Sequence, residues 1–252
     1  MSGNRKVNQL YLSTLVIVLT LGLFSGCSGP VDSDIGTPSI HASMLLDCVG
    51  DGTTRVEVQL SAGGASGPDI YLVGGDRLVV AANGESHTLV EDRDWPNIVR
   101  YITALDVDDP GAQVAVSFER PNHVPAPDSH VVLPERITIQ SPQSNQTFGR
   151  GDSITVSWDP SGTSDPMGIQ FDVTCRDDGD VSSRFLTYSV ADSGTKDYDV
   201  DDLLSEWSLG QNANCTAEII LVRSTRGSVS AEYRSGTIAA ERRTSVSVGI
   251  TP

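Results

Sequence analysis

The sequence predicts an all-β chain: two tandem antiparallel β-sandwich domains behind a removable export segment. Three observations carry this expectation. Helical periodicity is nearly absent from the 252 residues, whereas short alternating apolar runs recur between Gly, Asp, Asn and Pro punctuation. In the C-terminal half the alternation is strict in Ile154-Thr155-Val156-Ser157-Trp158, in Ile169 to Cys175 and in Cys215 to Leu221. The one strongly apolar run, Leu10 to Phe24, lies behind Arg5 and Lys6 and is broken only by Ser13, Thr14, Thr20 and Gly22.

That run has 15 residues, short of the roughly 20 that a spanning helix needs. A basic start, an apolar middle and a small-residue end make a secretory signal. The end reads Leu23-Phe24-Ser25-Gly26-Cys27 and resembles the lipobox of bacterial lipoproteins, with Phe24 where that family prefers Leu. The resemblance implies cleavage before Cys27, lipid attachment to its sulfur and a place in the bacterial cell envelope. Ser28 rather than Asp after the cysteine points to the outer membrane. Residues 1–26 are then the signal peptide. Residues 27–40 are the lipidated cysteine and a flexible tether, in which Pro30, Gly36 and Pro38 stand among small polar residues.

Removing residues 1–26 leaves 15 basic against 33 acidic side chains, a net charge of −18. Such a surface repels phosphate backbones and excludes a nucleic-acid partner. The remaining length fits two ordinary domains.

The first domain is assigned to residues 41–135. In Arg55 to Leu60 the apolar residues alternate, so one face is buried. Gly63 to Pro68 is a loop. Ile70 to Val73 and Leu78 to Val80 flank Gly74-Gly75 as a candidate hairpin, and Asn83-Gly84 is a second turn signal before His87 to Val90. Val99 to Leu105, Val114 to Phe118 and Val131 to Leu133 supply the later strands. Pro134-Glu135 then passes directly into the second domain, a junction short enough to favour a rod over two freely tumbling modules.

The second domain is assigned to residues 136–252. Parity turns Cys175 and Cys215 inward, which predicts an inter-sheet Cys175–Cys215 disulfide with Trp158 packed near it. The loop of about forty residues would contribute roughly 3–4 kcal/mol in the chain-entropy model. Cys48 is left as a buried free thiol. Cys48-Val49-Gly50-Asp51-Gly52 and Cys175-Arg176-Asp177-Asp178-Gly179 share C-x-x-D-G. If the domains are duplicates, the partner position of Cys48 falls in Val114–Phe118, which has no cysteine. The stretch from Ile137 to Trp158, with Ser141-Pro142, a Gly turn and Val156-x-Trp158, resembles the opening of immunoglobulin-like and fibronectin-like domains of exported proteins. The Tyr two places before the second cysteine of antibody domains is replaced by Ala213. The resemblance therefore implies architecture and no activity.

Candidate sites are few. Gly149-Arg150-Gly151-Asp152-Ser153 contains the tripeptide that integrins read, although Gly-Asp also suits a tight turn. Trp95, in the polar stretch Asp92 to Asn97, is the candidate stacking residue for a sugar or protein. Trp158 and Trp207 read as core, with Asp202 to Glu206 a single helical turn crossing between sheets. No cofactor is implied. Calcium is a candidate ion, through the carboxylate clusters at Asp106–Asp109, Asp177–Asp180 and Asp197–Asp202. His123, Asp128 and His130 are a sparse zinc set without a ligand pattern. No nucleophile elbow, Cys/His pair or phosphate loop is present. The sequence thus predicts a non-enzymatic envelope lipoprotein, a binding or spacer module for a protein or glycan. The alternatives are a strut in a larger envelope assembly and, less favoured, an envelope hydrolase.

Overall fold

The computed structural model describes residues 29–94, 98–207, 210 and 213–251. Cys27 and Trp95 lie outside the described residues. The first half of the chain forms β1 (Val31–Asp32), β2 (Ile40–Cys48), β3 (Thr54–Ala62), β4 (Ile70–Tyr71), β5 (Arg77–Ala82), β6 (Glu85–Thr88), β7 (Val90–Asp94), β8 (Ile98–Leu105), β9 (Gln113–Glu119) and β10 (Ala126–Val132). The second half forms β11 (Thr138–Ser141), β12 (Thr147–Gly149), β13 (Ser153–Asp159), β14 (Met167–Asp177), β15 (Asp180–Val190), β16 (Thr195–Asp199), a short helix α1 (Val200–Leu204), β17 (Asn214–Arg226) and β18 (Ser235–Thr251). The fold is all-β, with two sandwiches and two separate apolar cores.

Strict alternation produces each core. Along β3, Val56, Val58 and Leu60 are buried, while Arg55, Glu57 and Gln59 turn away. Each such side chain contributes roughly 1.5–3 kcal/mol of transfer free energy. In the first sandwich β2, β3, β8 and β7 lie over the sheet β10-β9-β5-β6. In the second, β15, β14 and β17 lie over β11-β13-β16.

The two sandwiches share one sheet. Its order is β15-β14-β17-β18-β2-β3-β8-β7, with β12 joined to β18. The joining strand is β18, which has 17 residues. Its first half runs parallel to β2, Ser235–Arg242 beside His41–Cys48, and its second half pairs with β17 and β12. Tyr233, Ile238 and Ala240 accordingly sit in the first core, and Val248 and Ile250 in the second. The sequence boundary at residue 135 gave all of them to the second domain. A strand of about 56 Å at 3.3 Å per residue is long enough to serve both cores.

The expected flexible tether is also different from residue 31 onward. β1 pairs in parallel with β4, and Ser33 and Thr37 are fully buried. The cause is Arg120, whose buried guanidinium donates to the carbonyls of Ser33 and Ile35 and to Thr37 Oγ1, and pairs with Asp76 at 2.9 Å. A buried arginine needs several acceptors, and the N-terminal segment supplies most of them.

Three local expectations are corrected. Gly74-Gly75 does not close a hairpin, because β4 pairs with β1 while β5 pairs with β6 and β9. The true hairpin is β5–β6, closed by Asn83 at φ 49° and Gly84 at φ 85°, a pair of left-handed residues that matches the strand twist. The Cys175–Cys215 disulfide forms, but within a sheet rather than between sheets, since the two cysteines are direct neighbours on β14 and β17 with Cα atoms 4.0 Å apart. Inward parity alone does not distinguish facing strands from adjacent ones. Trp158 is buried yet pairs with Ile139 near the junction, at the other end of β13 from the Ser153 turn. It is therefore remote from the disulfide. β9, with Val114–Phe118, lies in the sheet opposite Cys48, which is flanked in its own sheet by Thr54 and Arg242.

Candidate interaction surface

Strand directions define two poles. β2 and β18 both start beside the N-terminal segment, where Arg234 N donates to Ile40 O, and run towards the junction at Cys48 and Arg242. β18 then continues to Thr251, beside Cys215 and the β12 strand. The Arg120 cluster and the N-terminal residues thus occupy one pole. The disulfide and the Arg150–Asp152 turn occupy the other.

At the far pole Arg150 and Asp152 are both exposed. Their polar groups are engaged locally. Asp152 Oδ2 accepts from Gly149 N at 2.6 Å, Asp152 O accepts from Val200 N, and Arg150 Nη1 lies 3.5 Å from Asp201 Oδ1. The carboxylate therefore closes its own turn, which is the steric role that the sequence offered beside the recognition motif. α1 crosses between the sheets here, slightly ahead of the expected turn at Asp202–Glu206, and Trp207 packs half-buried against the second core.

The candidate ion clusters do not converge. Asp197 accepts from Thr155 Oγ1, Asp177 accepts from Gly210 N, and Asp108 is buried in an ion pair. His123 contacts Asp34, and His130 contacts the carbonyl of Asp128. Among the described residues no group of three or more His, Cys, Asp or Glu is arranged to hold a metal.

The most organised polar region, missed by sequence reasoning, is the junction. Arg223 and Arg242 are direct partners on β17 and β18. Arg242 Nη1 binds Asp108 Oδ1 at 2.6 Å, its Nη2 binds Asp108 O, and its Nε donates to Pro134 O. Arg223 Nη2 binds Asp192 Oδ2 at 2.9 Å and Pro160 O at 2.7 Å, and its Nη1 donates to Arg136 O. Arg136 reaches back to Asp108 at 3.3 Å. The linker Pro134–Arg136 is thus held from both sandwiches. An open cleft of about 390 Å³ runs beside it, with Glu135, Asp165 and Arg226 on its walls. The available signal was parity: the inward rows Ile219, Leu221 and Ile238, Ala240 continue into Arg223 and Arg242.

Cys48 is free and 2% exposed, with Thr54 Oγ1 3.8 Å from its sulfur. Burial pushes its thiol pKa up, opposed by the charge of Arg242 and the Thr54 hydrogen bond. A thiolate is the reactive form, so Cys48 in a folded Cys27→Ala chain should not react with a thiol reagent. Unfolding without reductant should expose one thiol, and reduction two more. Rapid labelling of the folded chain would contradict the buried assignment.

No protein-family model matches the chain, and no curated protein does. Solved structures with local similarity include fibronectin(III)-like modules of Clostridium thermocellum CbhA, at 13% identity and a TM-score of 0.25 over 84% of this chain and 90% of that one. Chicken CNTN1 FN1-FN3 domains match at 10% identity and a TM-score of 0.22, over 78% of this chain and 62% of theirs. The Yersinia pseudotuberculosis adhesin InvE matches at 12% identity and a TM-score of 0.22, over 84% of this chain and 59% of the adhesin.

Proposed function

We propose that this protein is a lipid-anchored envelope lipoprotein, carried at Cys27, which holds a non-catalytic binding module away from the membrane for a protein or glycan partner. The observation that carries the reading is the position of the N-terminus. Val31 onward is docked on the first sandwich at the pole opposite the disulfide and the Arg150–Asp152 turn. Four residue steps from Cys27 to Val31 span at most about 14 Å. An anchor at Cys27 would hold the first sandwich against the bilayer and present the second outward. Two or more acyl chains would make that attachment durable, whereas one alone binds only marginally.

Metabolic labelling with a fatty acid tests the anchor. Label should enter the wild-type chain and be lost in Cys27→Ala, and label retained in that variant would overturn the anchor. Cross-linking in intact cells then addresses the partner. A stoichiometric envelope protein that is lost with the anchor would make the chain a subunit of an assembly rather than a free-standing binder.

A further inference from the structure

The free edges of the sheets differ sharply. β7 carries Glu91, Asp92, Arg93 and Asp94 in five residues, and β16 carries Lys196, Asp197 and Asp199. β6 and β11 have four residues each, and β12 has three. β10 contains Pro127, shifts register between Ala126 and Ser129, and is bridged at His130 by Ser228. Short length, charge, proline and bulges are the usual protections of an edge.

β15 is long, free of proline and unbulged, and its charges are limited to Asp180 at its start and Arg184. It is the terminal strand of the shared sheet, eleven residues long and paired with β14 in unbroken register from Asp180 to Val190. Between Val181 and Val190 its only charge is Arg184, which turns beneath the strand to Glu206 at 3.0 Å and to Leu203 O.

The turn fixes which backbone groups face outward. Asp178 at φ 47° and Gly179 at φ 95° form a two-residue hairpin closed by Asp177 and Asp180. The closing pair of such a hairpin is hydrogen-bonded, and the pattern alternates from there. Val181, Ser183, Phe185, Thr187 and Ser189 therefore direct their N–H and C=O groups away from β14. The Thr174–Ser183 hydroxyl contact at 3.0 Å and the close Cys175–Cys215 pair fit this phase. The same five residues have exposed side chains. Phe185 is 59% exposed, Val181 is 61% exposed, and Phe185 is the one exposed aromatic residue among the described residues.

We propose that β15 is the docking edge for β15 of a second copy of this chain, in an antiparallel, two-fold pairing centred on Phe185. Phe185 is the midpoint of Asp180–Val190, so centring the axis there overlaps the whole strand. Val181 then meets Ser189, Ser183 meets Thr187, and Phe185 meets its own copy. Arg184 falls opposite Leu186. A shift of the axis by one residue towards Asp180 would set Arg184 against Arg184, and shifts in either direction shorten the overlap. Full pairing gives about ten backbone hydrogen bonds along a strip of about 36 Å. The row is also uncharged on a chain of net charge −16, so two acidic bodies meet along a strip where repulsion is weakest.

The test is the mass of the full chain by light scattering after size-exclusion, in detergent where anchorage requires it, over about 1–100 μM. A two-chain mass is expected. Phe185→Glu, which sets like charges across the axis, and Thr187→Pro, which removes an outward N–H and no bond to β14, should each weaken the pair at least about tenfold. In a Cys27→Ala background a short bismaleimide should couple Phe185→Cys chains in pairs. Unreactive Cys48 reports that each variant is folded. Three results would overturn the proposal: a single-chain mass throughout, an open-ended series of larger species, or a pair indifferent to both variants. None of these depends on acylation of Cys27, so the anchor and the pairing fail separately.

Discussion

Arg242→Ala is expected to destabilise the chain by about 3–5 kcal/mol, read as a lowered urea midpoint. The residue sits where the inward row of β18 passes from one core to the other, between Ala240 of the first and Val248 of the second. Removing it deprives Asp108, whose side chain is 1% exposed, of its closest countercharge, and deprives Pro134 O of a donor. An unpaired buried carboxylate costs more than the ion pair contributed, because desolvation of the remaining charge is no longer offset. Arg136 still stands 3.3 Å from Asp108 Oδ2, but it is 58% exposed and screened. This favours the lower end of the range. Adding Asp108→Asn to Arg242→Ala should recover part of the loss. No recovery would assign the effect to packing instead. The linker should also loosen, so limited proteolysis between Leu133 and Ile137 should accelerate more than the global destabilisation explains. Equal protection of the two chains would contradict the clamp.

The features that could be read in the sequence are those governed by local parity. Val56-Glu57-Val58, Ile154 to Trp158 and Ile169 to Cys175 turn every second residue inward, and that pattern alone identifies strands and their buried faces. The Cys175–Cys215 bond followed from the same rule, although parity is silent on which strands are neighbours, and the bond proved to be within a sheet. What could not be read depends on pairing between distant segments. Nothing near residue 235 announces that Ser235–Arg242 will run beside His41–Cys48. Ser33 and Thr37 look like linker residues until Arg120, more than eighty residues later, takes them as acceptors. Arg223 and Arg242 occupy inward positions, where a charged residue is not expected from its type alone. Their burial makes sense only with Asp192 and Asp108 in place. The free edge of β15 is likewise a property of strand order.

Asp192→Ala should cost a comparable 3–5 kcal/mol near neutral pH, and it carries a pH signature that distinguishes it from the first variant. Asp192 is an acceptor for Trp158 Nε1 at 2.7 Å, for the N–H and Oγ1 of Thr163 at 2.9 and 2.6 Å, and for Arg223 at 2.9 Å. Burial penalises its charge. The Thr163 and Trp158 hydrogen bonds and the Arg223 charge outweigh that penalty and hold its pKa below the ordinary 3.8. A carboxylate that binds its proton less readily in the folded state stabilises the fold while ionised. Its contribution is therefore fully present above an unfolded pKa of 3.8 and is lost as pH falls through the lower folded value. Urea unfolding at steps from neutrality to about pH 3 should show the wild type losing stability on this acid limb. Asp192→Asn, with no carboxyl to titrate, should be weaker at neutral pH and should converge on the wild type as pH falls. A constant gap between the two across the acid limb would refute the assignment of that slope to Asp192. The alanine variant leaves Arg223, 0% exposed, without its countercharge, and leaves the buried Trp158 indole N–H without an acceptor. Both penalties arise at the end of β17 that contacts the linker. The chain should therefore lose the hold on Arg136 O along with the stability of the second core.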